Sequence, residues 1–85
     1  MKEFKYVIKD EIGIHARPAG MLAKEAKNFA SKITIEANGK NADVTRIMAV
    51  MGMGVKQGTE VVVKAEGTDE DVAIVKIEEF MQANL

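Results

Sequence analysis

The chain has 85 residues, 47% of them apolar and 29% charged, with a formal net charge of −1; these are ordinary values for one small globular domain. A domain of this size buries only roughly 60–65% of its unfolded surface, so it has one core and little room for an enclosed active-site cavity. The balanced charge argues against nucleic-acid binding, which brings a basic excess, and the lack of cysteine excludes disulfides and thiolate metal sites.

Met1-Lys2-Glu3-Phe4-Lys5 lacks the apolar stretch of a secretory leader. No apolar run approaches the ~20 residues that span a bilayer. The expectation is a soluble cytoplasmic protein, a single domain over residues 1–85 with no repeat, low-complexity tract or linker.

Glu3 to Lys9 alternates, with Phe4, Tyr6 and Ile8 on one side and Lys5 and Lys9 on the other. Period two with aromatic and β-branched residues predicts a half-buried strand. Asp10 to Ile14 follows as a loop with Gly13 as its turn residue. Pro18 to Ala30 reads as a helix whose core stripe is Ala19, Leu22, Ala23, Ala26 and Phe29. Pro18 sits in the first turn, where a missing N–H is tolerated.

Ile33 and Ile35 alternate with Thr34 and Glu36 as a second strand. Asn38-Gly39 is a type I′ hairpin signal, and Ala42 and Val44 face inward on the return strand. Arg46 to Met51 is a short helix ended by Gly52 and Gly54, and Lys56 to Thr59 is a turn. Glu60 to Glu66 is a strand with Val61, Val63 and Ala65 on one face. Gly67 breaks it, Thr68 and Asp71 suggest a capping box, and a last helix runs from about Asp69 to Asn84. Its expected core stripe is Ala73, Ile77, Phe80 and Met81. Antiparallel strands with helices packed on one face make an α+β sandwich, with the strand order left open.

The segment Gly13-Ile14-His15-Ala16-Arg17-Pro18-Ala19 holds the only histidine and one of only two arginines. A helix N-terminus offers unpartnered N–H groups that suit an anion; the backbone N–H of Ala16 is one of them. Arg17 adds a planar fork of donors matched to phosphate oxygens. An imidazole is both a nucleophile near neutral pH and a good leaving group. A phosphoryl group on His15 is therefore held by charge and released readily, as a carrier needs. Nothing in the segment looks like an acid–base pair that would speed hydrolysis.

A lone histidine in a small protein is most often structural or simply exposed. One histidine without cysteine lacks the usual ligand set for a metal, and no cofactor is implied. Ser31, the only serine, lies in a different element from His15, so a Ser/His/Asp site is a poor fit.

The His15 segment resembles the active-site signature of the HPr family, the histidine-containing phosphocarriers of the bacterial phosphoenolpyruvate-dependent sugar phosphotransferase system. Ile47-Met48-Ala49-Val50-Met51 through Gly54-Val55 and Gly58 is similar to the family's other characteristic region. The resemblance covers essentially the whole chain. It implies an open-faced β-sandwich, a four-stranded antiparallel sheet covered on one face by three helices. It implies that Enzyme I phosphorylates His15 on Nδ1, that Arg17 steadies the phosphate, and that the group passes to IIA components of sugar permeases.

Arg17, Gly20, Met21, Lys24 and Lys27 fall near one face of the first helix and extend outward from His15. A shallow spot at Gly20, a pliable Met21 and a basic rim form the expected docking face, and the resemblance adds Ile47, Met48 and Met51. Acidic partner surfaces with an apolar centre fit it, and steering by charge suits modest affinity with fast turnover. The plain alternative is a solvated helix face, the better reading for Lys24 and Lys27 taken singly.

Two positions depart from the resembled family. Many members have a serine, phosphorylated by a dedicated kinase in one large bacterial group, where this chain has Arg46; that regulation is expected to be absent. Arg46 either enlarges the docking patch or is a plain surface residue. Ile12 stands where polar residues are frequent near the phosphate. Three readings remain: a general phosphocarrier, a regulatory module of the same fold phosphorylated on His15, and a small ligand- or RNA-binding domain. A monomer is the default for a carrier that serves several partners.

Overall fold

The computed structural model describes residues 1–85. Seven elements follow in order: β1 (Lys2–Val7), α1 (Ala16–Ala26), β2 (Lys32–Ala37), β3 (Lys40–Asp43), α2 (Ile47–Met51), β4 (Glu60–Glu66) and α3 (Glu70–Asn84). The four strands form one antiparallel sheet in the order β1-β4-β2-β3. The three helices cover one face, giving the open-faced α+β sandwich.

Alternation decides which face is covered. Val63 lies opposite Phe4 on one side and Ile35 on the other, and Ile35 in turn lies opposite Ala42. These residues, with Val61, Ala65 and Ile33, meet Leu22, Ala73, Ile77 and Met81 of the helices in one core. Leu22 and Ile77 are fully buried, and truncating Leu22 to Ala costs about 2–5 kcal/mol. The opposite face of the sheet stays open and carries charge, including the ion pair of Lys64 with Glu36 at 3.6 Å. The hairpin between β2 and β3 turns at Asn38 (φ 55°) and Gly39 (φ 74°), as a type I′ turn requires.

Four local expectations need correction. Helix α1 begins two residues before Pro18, because the Ala19 N–H already donates to the His15 carbonyl at 3.0 Å. It also ends at Ala26: Asn28 and Phe29 donate three residues back, to Glu25 and Ala26, so the ladder tightens and stops. Phe29 leans on the core from the turn beyond, half-buried.

The capping box of Thr68 with Asp71 does not form. Asp69 occupies the N-cap without a side-chain cap. Its carboxylate instead accepts from the N–H groups of Ala30 (2.8 Å) and Ser31 (2.9 Å) and from the Ser31 hydroxyl. Long-range donors have outcompeted the local ones. Gly67 permits this approach, since a Cβ there would lie 2.6 Å from Ser31 Cα. Phe80, expected in the core stripe of α3, is half-buried at its margin.

Candidate functional site

The loop after β1 delivers His15 to the start of α1. Gly13 adopts φ 84°, and a Cβ on it would lie 2.2 Å from the Val55 carbonyl oxygen. Only glycine fits a positive φ pressed this closely against backbone. The next residue, Ile14, is buried and donates its N–H to that same Val55 carbonyl at 3.2 Å. Two anchors in succession thus hold the chain as it enters the helix. His15 is the N-cap, extended at φ −114° and ψ −176°, and its side chain makes no cap hydrogen bond. That side chain is 35% exposed.

The first turn of α1 is electropositive and carries no compensating charge of its own. It contains no acidic residue. The Ala16 and Arg17 N–H groups precede the first intrahelical bond, and no loop carbonyl or side chain receives them. Pro18 has no N–H to offer. Arg17 is exposed and enters no ion pair. Charge-assisted bonds from such a fork to a phosphate are roughly twice as strong as neutral ones. His15 and Arg17 share a shallow depression with Asp10, Pro18, Met21 and Asn84.

Asp10 and the end of the chain belong to this site although the sequence reading did not place them there. Asp10 Oδ1 is 3.9 Å from His15 Nε2, so a carboxylate does stand beside the imidazole, contrary to expectation. The Leu85 carbonyl accepts the N–H groups of Lys9 (2.6 Å) and Asp10 (2.9 Å), which ties the loop to the end of α3. The buried Leu85 side chain anchors that tie. Asp10 precedes His15 by an irregular loop, and Asn84 is 69 positions away along the chain, so no periodicity links them. The only local signal was an aspartate followed by a glycine three residues on, the pattern of a turn.

The expected docking residues divide into two groups. Met21 (42% exposed), Ile47 (38%) and Met48 (79%) are open apolar side chains. A Cβ on Gly20 would stand 4.0 Å from Ile47 Cδ1, so Gly20 is where α1 and α2 join into one surface. Lys24 and Lys27 are exposed at its edge. Met51 instead turns inward and packs against the core. Arg46 lines a different depression, with Lys32, Thr34, Asn41 and Asp43, rather than the one that holds His15. Ile12 is 69% exposed.

Thr45 is engaged: its hydroxyl (2.6 Å) and N–H (2.9 Å) both donate to Asp43 Oδ1. Partial burial pushes the Asp43 carboxyl up. The two Thr45 donors, with Lys32 and Arg46 nearby, outweigh that and hold it below the usual carboxylate range.

A small open sandwich that presents a nucleophilic imidazole beside unpartnered N–H groups and a free guanidinium has the makings of a group carrier rather than an enzyme. The comparisons agree. A family model described as PTS HPr component phosphorylation site matches residues 2–83. Phosphocarrier protein HPr of Mycoplasma capricolum subsp. capricolum is 49% identical over 81 residues, which cover 95% of this chain and 91% of that one. A solved histidine-containing phosphocarrier protein from a mycoplasma superposes with a TM-score of 0.93 at 48% identity, covering 96% and 93% of the two chains. HPr of Thermoanaerobacter tengcongensis gives 0.91 at 38% identity over 98% and 93%.

The protein is a phosphocarrier, not a catalyst in its own right. The chain belongs to the HPr family of the sugar phosphotransferase system. No helix is long and apolar enough to cross a membrane.

Proposed function

We propose that His15 accepts a phosphoryl group from phosphorylated Enzyme I and donates it to IIA components of sugar permeases. One observation carries the reading: the start of α1 gathers His15, two unpartnered N–H groups and the free Arg17 around a single exposed position. The Ala16 N–H and the Arg17 fork hold the phosphoryl oxygens while the imidazole nitrogen bears the phosphorus. The shallow site matters as much as its charge, because both donor and acceptor proteins must reach the same atom.

The partners dock on the surface formed by Gly20, Met21, Ile47 and Met48, with Lys24 and Lys27 as a basic rim. Met51 supports this surface from behind. Arg46 stands at the start of α2, away from the His15 depression, and replaces the hydroxyl that a serine kinase would use. Thr45 does not substitute for it, since its hydroxyl is committed to Asp43. The carrier works as a cytoplasmic monomer.

The test mixes the protein with Enzyme I and labelled phosphoenolpyruvate and then adds a IIA protein. Acid-labile label on His15 that moves to IIA is expected. Label that stays on His15 would point to a regulatory module, and a folded protein that takes no label would refute phosphoryl carriage on this residue. Incubation with a serine kinase of this system and ATP is expected to give no label on Thr45.

A further inference from the structure

The carboxylate of Asp10 has no part in the carrier reading so far, yet it is the most firmly placed group beside the histidine. Its N–H donates to the Leu85 carbonyl at 2.9 Å, and its own carbonyl accepts the Gly13 N–H at 3.0 Å. Its Oδ1 accepts the Ile12 N–H at 2.9 Å, an Asx turn that restricts the side chain. The same oxygen faces His15 Nε2 at 3.9 Å.

A neutral imidazole carries one proton, and the partner of each nitrogen selects where it resides. A carboxylate beside Nε2 favours the Nε2–H tautomer and leaves the lone pair on Nδ1. At 3.9 Å the contact is electrostatic rather than a hydrogen bond. Contacts of this kind tighten when reaction partners engage.

We propose that Asp10 is a positioning residue: it keeps the proton of His15 on Nε2, so that Nδ1 is the nucleophile, and it steadies the charge the ring gains on phosphorylation. This rests on His15 being the phosphoryl acceptor. The Nδ1 lone pair forms the bond to phosphorus as the bond from phosphorus to the donor breaks, and that electron pair leaves with the donor. The ring keeps its Nε2 proton and becomes a phosphoimidazolium whose positive edge faces Asp10. On donation the Nδ1–P bond breaks, its electron pair returns to Nδ1, and the neutral Nε2–H ring is restored. No proton enters or leaves in either direction.

The other charged groups at this end are Lys9 and Glu11 beside Asp10, Arg17 on α1 and Lys56 against the Gly13 turn. All are unchanged in the variants that test the idea. Asp10→Asn keeps an oxygen for the Ile12 N–H but removes the charge; Asp10→Ala removes both. The measurement is the ¹⁵N chemical shifts of the two ring nitrogens in the unphosphorylated protein, at a pH where the ring is neutral. The ratio of Nε2–H to Nδ1–H tautomer is expected to fall about threefold or more in Asp10→Ala and by a smaller factor in Asp10→Asn. A ratio unchanged from the parent in either folded variant overturns the proposal. Because no phosphate is involved, failure of His15 to accept a phosphoryl group would overturn the carrier reading separately.

Discussion

Helices α1 and α3 each follow a strand and a turn, and their first turns are handled in opposite ways. That of α3 carries Glu70 and Asp71, and that of α1 carries no acidic residue. Glu70 binds the N-terminal ammonium of Met1 at 2.8 Å and accepts the Gly67 N–H, and Asp71 faces Lys2 at 3.5 Å. The Asp69 carboxylate before them latches the start of β2 through Ala30 and Ser31. The positive pole of α3 is thus satisfied within the fold and contributes to stability. The positive pole of α1 is left to act on what approaches from outside. Two ends of one small molecule divide the work: one fastens the sheet to the helices, the other does the chemistry.

Substitutions at the two ends should therefore fail in different assays. The largest effect belongs to His15→Ala, which is expected to abolish phosphoryl acceptance from Enzyme I. The same change should leave stability within about 0.5 kcal/mol, as for an exposed residue without structural bonds. A cooperative loss of Tm in this variant would contradict the division. Arg17→Ala should slow transfer by roughly 10–100-fold, the value of one or two hydrogen bonds to a charged group. Arg17→Lys should recover only part of it, having charge without the fork.

Gly13→Ala should break the comparison from the other direction, since it strains the backbone and drives a Cβ against the Val55 carbonyl. A loss of roughly 2–4 kcal/mol in denaturant unfolding is expected, together with slower transfer, because this turn delivers His15. Transfer at the parent's rate in that variant would show that the loop does not position the histidine.

The α3 end predicts how the fold responds to acid. The Ser31 hydroxyl, with the N–H groups of Ala30 and Ser31, holds the Asp69 carboxyl below its usual range. The N-terminal ammonium, then the Gly67 N–H, do the same for Glu70. Groups lowered in the folded state bind fewer protons there than in the unfolded chain. Their stabilisation is complete above the unfolded pKa and is lost as pH falls through the folded values. Tm should be flat above about pH 5 and decline below about pH 4. Asp69→Asn should lower the plateau and flatten the decline, and an unchanged acid profile would show that the latch does not contribute. The smallest effect concerns the basic rim: raising ionic strength from low to ~0.5 M should slow transfer between proteins a few-fold by screening Lys24 and Lys27. A flat salt profile would remove them from docking.

Much of this was written locally. Alternation in Phe4–Ile8 and Val61–Ala65, the Asn38-Gly39 turn and the stripe from Ala19 to Ala26 each determine an element whose partner is simply the nearest apolar face. His15 and Arg17 were legible for the same reason: a phosphate site at a helix start is built from neighbours in sequence. The cap of α3 was not, because hydrogen bonds to a distant segment decided it, and the ends of α1 turned on which nearby carbonyl each N–H reached. Asp69 spends its carboxylate on residues nearly forty positions away, which no local pattern announces.

What the sequence determined by itself is therefore a set of strands and helices and one nucleophile with its anion-binding turn. Only the tertiary structure decided what surrounds that nucleophile. It carried the Leu85 carbonyl to the loop before α1 and so set the Asp10 carboxylate against His15; it joined Gly20 to Ile47 and turned Met51 inward. Such contacts depend on how the helices pack on the sheet, and that packing follows from the whole core rather than from any short run of residues.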